Sequence, residues 1–273
     1  MRTSVSFMIP QWFFILQVLL LGLIIGSFLN VVIFRLPRNM GVGGRSFCTS
    51  CRHQINWYEN IPVMSFLFLG GHCHHCKAKI SFRYPMVEAV TAFLALMVFI
   101  RVGYDFKTYL IWFLLFIAPL IAISFIDFEH KIIPDVISLP GIPVGILVTL
   151  FFMGPAWEQA LTFSLVGILA GGGSLLVIGQ AYSWIRKREG MGGGDVKLAA
   201  MIGAFLGWRA VLFVFLMSSL LAIVYAILYI LISRNKSDEP LIIPYGPFLA
   251  AAAALYFFYG REIMEWYLSL LIH

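Results

Sequence analysis

WFFILQVLLLGLIIGSFLNVVIF, residues 12–34, holds no ionisable side chain from end to end. A bilayer core takes about 20 predominantly apolar residues per helix, and hydrogen-bonded helix is the backbone form a single segment can carry across it. This stretch therefore predicts a membrane-spanning helix. It is too long for the apolar core of a signal peptide, and Arg35 and Arg38 follow it where a small-residue cleavage site would stand. The segment is expected to stay in the mature protein.

Working outward, further apolar runs extend from about Pro85 to Ile100, Tyr109 to Ile126, Val136 to Met153, Ala160 to Trp184, Val196 to Leu206, Ala210 to Ile232 and Ile243 to Tyr259. The sixth run of the full set is short, and Gly207-Trp208-Arg209 reads as a tight interfacial turn into the seventh. The tail from Arg261 either extends the last helix or lies in the interface. The composition agrees: 61% of the 273 residues are hydrophobic and 12% are charged, far from the balance of a water-soluble domain. The expected fold is all-α and polytopic, with about eight transmembrane helices and a small cytoplasmic loop domain.

A formal charge of +6 would suit a nucleic-acid binder, but the positions of the basic residues matter more than their sum. One side of the span map carries fourteen Lys and Arg, among them Arg35, Arg52, Lys79, Lys131 and Lys197, and the other carries five. Cytoplasmic loops hold the excess. The N-terminus is thus expected outside and the long first loop inside the cytoplasm. The lipid bilayer, and no nucleic acid, accounts for the charge.

That loop divides the chain into residues 1–34, a first transmembrane segment; 35–84, a loop domain; and 85–273, the remaining spans. Its four cysteines form two close pairs, Cys48 with Cys51 and Cys73 with Cys76. The spacing is close to that of paired zinc knuckles, where two thiolates from each pair hold one ion tetrahedrally. A metal gives so small a segment folding energy that apolar burial cannot supply. Two disulfides or four free thiols are the alternatives, and a reducing cytoplasm disfavours the first. His53, His72, His74 and His75 stand nearby as substitute ligands or as solvated neighbours. Four thiolates around Zn2+ leave no open position, so the expected metal is structural.

Acidic residues are few, and they gather at one end of the spans: Asp127, Glu129 and Asp135 after the third, Glu189 and Asp195 before the sixth. Two carboxylates brought together cannot both ionise cheaply, so one keeps its proton while the other acts as a base toward water. Asp127 and Asp195 are the candidate catalytic pair. Each also has a plainer reading. Asp195 and Asp135 suit helix caps, and Asp127 suits an ion pair with Lys131 or Lys197. The run Gly192-Gly193-Gly194 beside Asp195 is an expensive choice for a cap, and it would let an extended substrate backbone come close.

Taken together, these motifs resemble the type IV prepilin peptidases, membrane aspartic proteases with a Gly-x-Gly-Asp signature. The resemblance covers nearly the whole chain: GSFLNVVIFRLP at 26–37, the two cysteine pairs, NIPVMSFLFLGGHC at 60–73, ISFRYPMVE at 80–88, FIDFEHKIIPD at 125–135, GMGGGDVKL at 190–198 and YGPFLA at 245–250. It implies removal of the short basic leader from type IV prepilins or type II secretion pseudopilins at the cytoplasmic membrane face, with Asp127 and Asp195 at the two catalytic positions. Because all four cysteines are present, it also implies methylation of the new N-terminal amine with S-adenosylmethionine as donor. No donor site is legible in the residues, since Gly41-Val-Gly-Gly44 lacks the strand and helix of a nucleotide loop. Glu88 matches a family position near that activity; an interfacial pairing with Arg83 is its plainer reading. An ion- or proton-coupled transporter and a non-catalytic secretion scaffold are the rival functions. The oligomeric state and the particular pilin are not legible.

Overall fold

The computed structural model describes residues 11–187, 192–232 and 243–271. Among them the regular structure is helical, with two isolated antiparallel bridges, Phe47 to Gln54 and His72 to Lys79, in place of a sheet. In chain order the helices are α1 (Gln11–Arg35), α2 (Met64–Phe68), α3 (Arg83–Arg101), α4 (Phe106–Trp112), α5 (Ala118–His130), α6 (Asp135–Met153), α7 (Trp157–Ile168), α8 (Ser174–Arg186), α9 (Gly193–Ile232) and α10 (Gly246–Leu271). One-turn π-helical segments, Phe113–Ile117 and Leu169–Gly173, join α4 to α5 and α7 to α8 without a loop.

Six of the described segments are long and apolar enough to cross a membrane, and the last of them, α9, has 40 residues. A straight helix of that length would measure about 60 Å, twice a bilayer core. It is not straight. At Gly207 the backbone leaves the helical region with φ 75° and ψ 174°, a conformation open to glycine because it has no Cβ. With α9 divided at that break and α10 added, the long helical segments among the described residues number about eight, roughly as the hydropathy predicts. The tail after Arg261 continues α10 as far as Leu271.

The chain forms two compact units: one holds the chain up to Val32 together with Gly41–Tyr109, the other Ile33–Met40 together with the chain from Leu110 onward. In the first unit α1 packs on α3 through small residues. A Cβ on Gly22 would lie 2.6 Å from the Ala92 Cα, and one on Gly26 would lie 2.7 Å from the Glu88 Cα. This is the small-residue packing that membrane helices use where lipid supplies no hydrophobic drive. Asn30 Nδ2 donates to the Tyr84 carbonyl at 3.0 Å and fixes the register.

In the second unit α9 is the central helix, with α6, α7 and α10 packed on it. Gly167 and Gly203 meet backbone to backbone, and a Cβ on either would run into the carbonyl oxygen of the other. One turn away, Gly171 sits against the Ala199 carbonyl in the same manner. Just before the break, the Ala204 carbonyl accepts from two sides, from Thr149 Oγ1 on α6 at 3.2 Å and from Ser164 Oγ on α7 at 3.0 Å.

Candidate active site and cysteine cluster

Asp127 lies in the last turn of α5, which ends at Lys131 in a left-handed conformation with φ 56°. The Lys131 N–H donates to the Asp127 carbonyl at 2.8 Å, the usual closure of such a turn. The Asp127 side chain is buried, and its Oδ2 accepts the Gly246 backbone N–H at 2.9 Å. Gly246 opens α10 and is followed by Pro247, a combination suited to a helix start. A Cβ on Gly246 would come within 2.7 Å of Asp127 Oδ2. Only glycine brings its N–H to this carboxylate without displacing it. The preceding Tyr245 is anchored in turn by a 2.7 Å contact between its hydroxyl and the buried Ser218 on α9.

Asp195 is the third residue of α9, and its N–H donates to the Gly192 carbonyl at 3.1 Å. Its side chain is half-buried. Asp127, Gly192, Gly194 and Asp195 line one open cleft of about 320 Å³. Sequence positions 68 apart thus share one environment. Ile133 packs between their supports: a Cβ on Gly194 would lie 2.8 Å from Ile133 Cβ, and one on Gly246 would lie 3.1 Å from Ile133 Cδ1.

The plainer readings of the acids turn out differently. Lys197 Nζ binds both Asp135 carboxylate oxygens, at 2.7 and 2.8 Å, and is thus engaged away from Asp127. Asp135 does not cap α6, since Pro134 holds the N-cap position without a side-chain bond. Asp127 forms no ion pair among the described residues. Glu189 lies outside the described residues.

The four cysteines are all free, and their sulfurs lie within 4.8 Å of one another, a set able to hold a metal ion. Cys48 Sγ and Cys76 Sγ are 3.9 Å apart. A tetrahedron of sulfurs about 2.3 Å from a metal has edges of about 3.8 Å, whereas a disulfide requires about 2.05 Å. Both knuckles follow one backbone plan. The Cys48 N–H reaches the His53 carbonyl and the Arg52 N–H returns to Cys48; the Cys73 N–H reaches Ala78 and the Lys77 N–H returns to Cys73, all between 2.8 and 3.0 Å. Arg52 and Lys77 are both left-handed, with φ 61° and 58°. Although burial pushes it up, the Cys48 thiol is drawn down to about 7 by the Cys51 and Ser50 N–H groups and the neighbouring thiols. The Ala78 N–H pulls the Cys76 thiol down, yet burial and the other three thiols push it up to about 11. Four sulfurs this close cannot all ionise without a cation among them.

In the same unit Glu88 is buried on α3, and its Oε2 accepts the Val63 N–H at 2.7 Å. Val63 pays for that contact with φ 60° and ψ −47°, a region a β-branched residue ordinarily avoids.

Two family profiles match the chain. The Bacterial Peptidase A24 N-terminal domain covers residues 20–102, and the Type IV leader peptidase family covers residues 114–227. A Prepilin leader peptidase/N-methyltransferase of Pseudomonas aeruginosa is 36% identical over 94% of this chain and 94% of its own. The protein of the same name from Aeromonas salmonicida is 36% identical over 96% of both chains, and that from Myxococcus xanthus is 37% identical over 85% of this chain and 71% of its own. The chain belongs to the type IV leader peptidase family. No solved structure matches.

The family resemblance included the string YGPFLA but gave Gly246 no role, and Tyr245 and Ser218 carried no functional signal. A Gly-Pro step announces a helix start; nothing in it announces which carboxylate its N–H will meet.

Proposed function

We propose that this protein is a multi-pass inner-membrane aspartic endopeptidase. It removes the short basic leader of type IV prepilins or pseudopilins at the cytoplasmic face and methylates the N-terminus it exposes. The reading is carried by Asp127 and Asp195 lining one cleft. The names of its relatives support the substrate class and the second activity.

In this mechanism one aspartate, ionised, takes a proton from a water molecule as that water attacks the scissile carbonyl. The other, protonated, donates to the carbonyl oxygen as it gains charge. The Gly246 N–H holds Asp127 Oδ2, which leaves Oδ1 to face the water or the substrate. Gly192 and Gly194 offer a wall without side chains, along which a substrate backbone, drawn out of its helix, lies extended. Lys197, engaged with Asp135, does not quench the pair.

Cys48, Cys51, Cys73 and Cys76 hold a structural Zn2+ that ties the two knuckles together. S-adenosylmethionine supplies the methyl group for the second reaction. The test is incubation of purified protein with a full-length prepilin, with and without S-adenosylmethionine, followed by mass spectrometry of the products. A shortened chain establishes proteolysis, and a further gain of one methyl establishes transfer. A transporter or a scaffold leaves the prepilin intact.

A further inference from the structure

The segment Asn56–Asn60 carries a carboxylate that the cysteine cluster does not use. Glu59 belongs to a short 3-10 turn, Trp57–Asn60. Its Oε2 accepts the Asn56 N–H at 2.9 Å and Asn56 Nδ2 at 3.2 Å. Its Oε1 is different. That atom is buried in a side chain only 7% exposed, it accepts no hydrogen bond, and it lies 3.1 Å from His74 Nδ1 without the alignment such a bond needs. The His75 ring completes a group in which one ligand atom from each of the three residues lies within 4.8 Å of the others. The His75 ring itself lies against His53, with centroids 3.5 Å apart and planes tilted by 38°.

We propose that Glu59, His74 and His75 form a second metal site, distinct from the four thiolates, for a borderline divalent transition cation such as Zn2+. Two imidazoles and a carboxylate are a recognised zinc donor set that keeps a fourth position for water. Oxygen and nitrogen ligands about 2.0 Å from a tetrahedral ion stand about 3.3 Å apart, close to the 3.1 Å between Glu59 and His74. A lone pair aimed past its neighbour, rather than at a proton, is how two ligands of one ion are arranged. His74 and His75 lie between Cys73 and Cys76 in sequence, so the turn that places two thiolates on one ion places two imidazoles for another. The His74 side chain is 57% exposed, and the bound ion exchanges readily with solvent.

The test uses full-length protein in detergent, stripped of metal and equilibrated with buffered Zn2+, with the metal counted by inductively coupled plasma mass spectrometry. Wild type is expected to hold two zinc ions per chain, and Glu59→Gln and His75→Ala one each. The amide oxygen introduced by Glu59→Gln still accepts the Asn56 N–H, so the turn is preserved. Co2+ loading reports the thiolates separately, through their charge-transfer absorption. That band is expected unchanged in both variants. Two ions retained in both variants, or one ion in wild type and variants alike, overturns the second site. Loss of all metal together with the thiolate band in both variants also overturns it, by making these residues a brace for the cysteine knuckle. One ion in wild type without the band, lost in the variants, supports this site and counts against zinc at the cysteines.

Discussion

Gly246 donates its backbone N–H to Asp127 Oδ2 at 2.9 Å across 119 positions of the chain. The bond holds a buried carboxylate through a backbone group that every residue but proline carries, and the absence of a Cβ leaves the space for it. The start of α10 is in this way part of the cleft's chemistry.

Removing either acid removes the charge that can alternate with a proton. Asp127→Asn and Asp195→Asn are each expected to cut prepilin cleavage by about three orders of magnitude or more, while melting within a few degrees of wild type. Cleavage at the normal rate by either purified variant rules out the assigned pair.

Gly246→Ala adds one methyl group 2.7 Å from Asp127 Oδ2. The carboxylate must turn or shift by a few tenths of an ångström, and the expected loss is roughly tenfold or more in kcat, with KM and expression little changed. Single-turnover cleavage measures it. Full activity shows that the N–H does not position Asp127.

Cys48→Ser and Cys73→Ser each leave three thiolates. Both are expected to lose the thiolate-to-cobalt absorption of the Co2+-substituted protein and to expose residues 41–80 to limited proteolysis. Retention of that absorption at wild-type strength in both variants refutes tetrathiolate coordination.

Gly203→Val forces a side chain into the Gly167 carbonyl, and destabilisation of about 3 kcal/mol is expected from overpacking of this kind. Gly41→Ala, with nothing within 4 Å of the added carbon, is expected to stay within about 0.5 kcal/mol of wild type. Chemical denaturation in detergent compares them. Equal stability of the two variants argues against the close helix crossing.

Much of the fold follows from length and polarity, because lipid permits few other backbone solutions. The break at Gly207 was legible as well, since a glycine next to Trp208 and Arg209 inside an apolar run marks an interface. The π-helical turns at Phe113–Ile117 and Leu169–Gly173 left no such trace, because an added residue in a helical turn changes no composition. Of the cleft, residue types pointed to Asp127 and Asp195 but not to their surroundings. Lys197 was as available in sequence to Asp127 as to Asp135, and only packing gave it to Asp135. Gly246 and Ser218 act through a backbone N–H and a tertiary contact, neither of which has a one-dimensional signature.

Each cysteine knuckle closes on itself through two backbone hydrogen bonds and one left-handed residue, none of which involves a sulfur. The backbone of each half is therefore shaped without recourse to its thiols, and the second half lies about 25 residues behind the first. A metal bound at the four sulfurs would clasp two preshaped turns and supply the energy that holds them together.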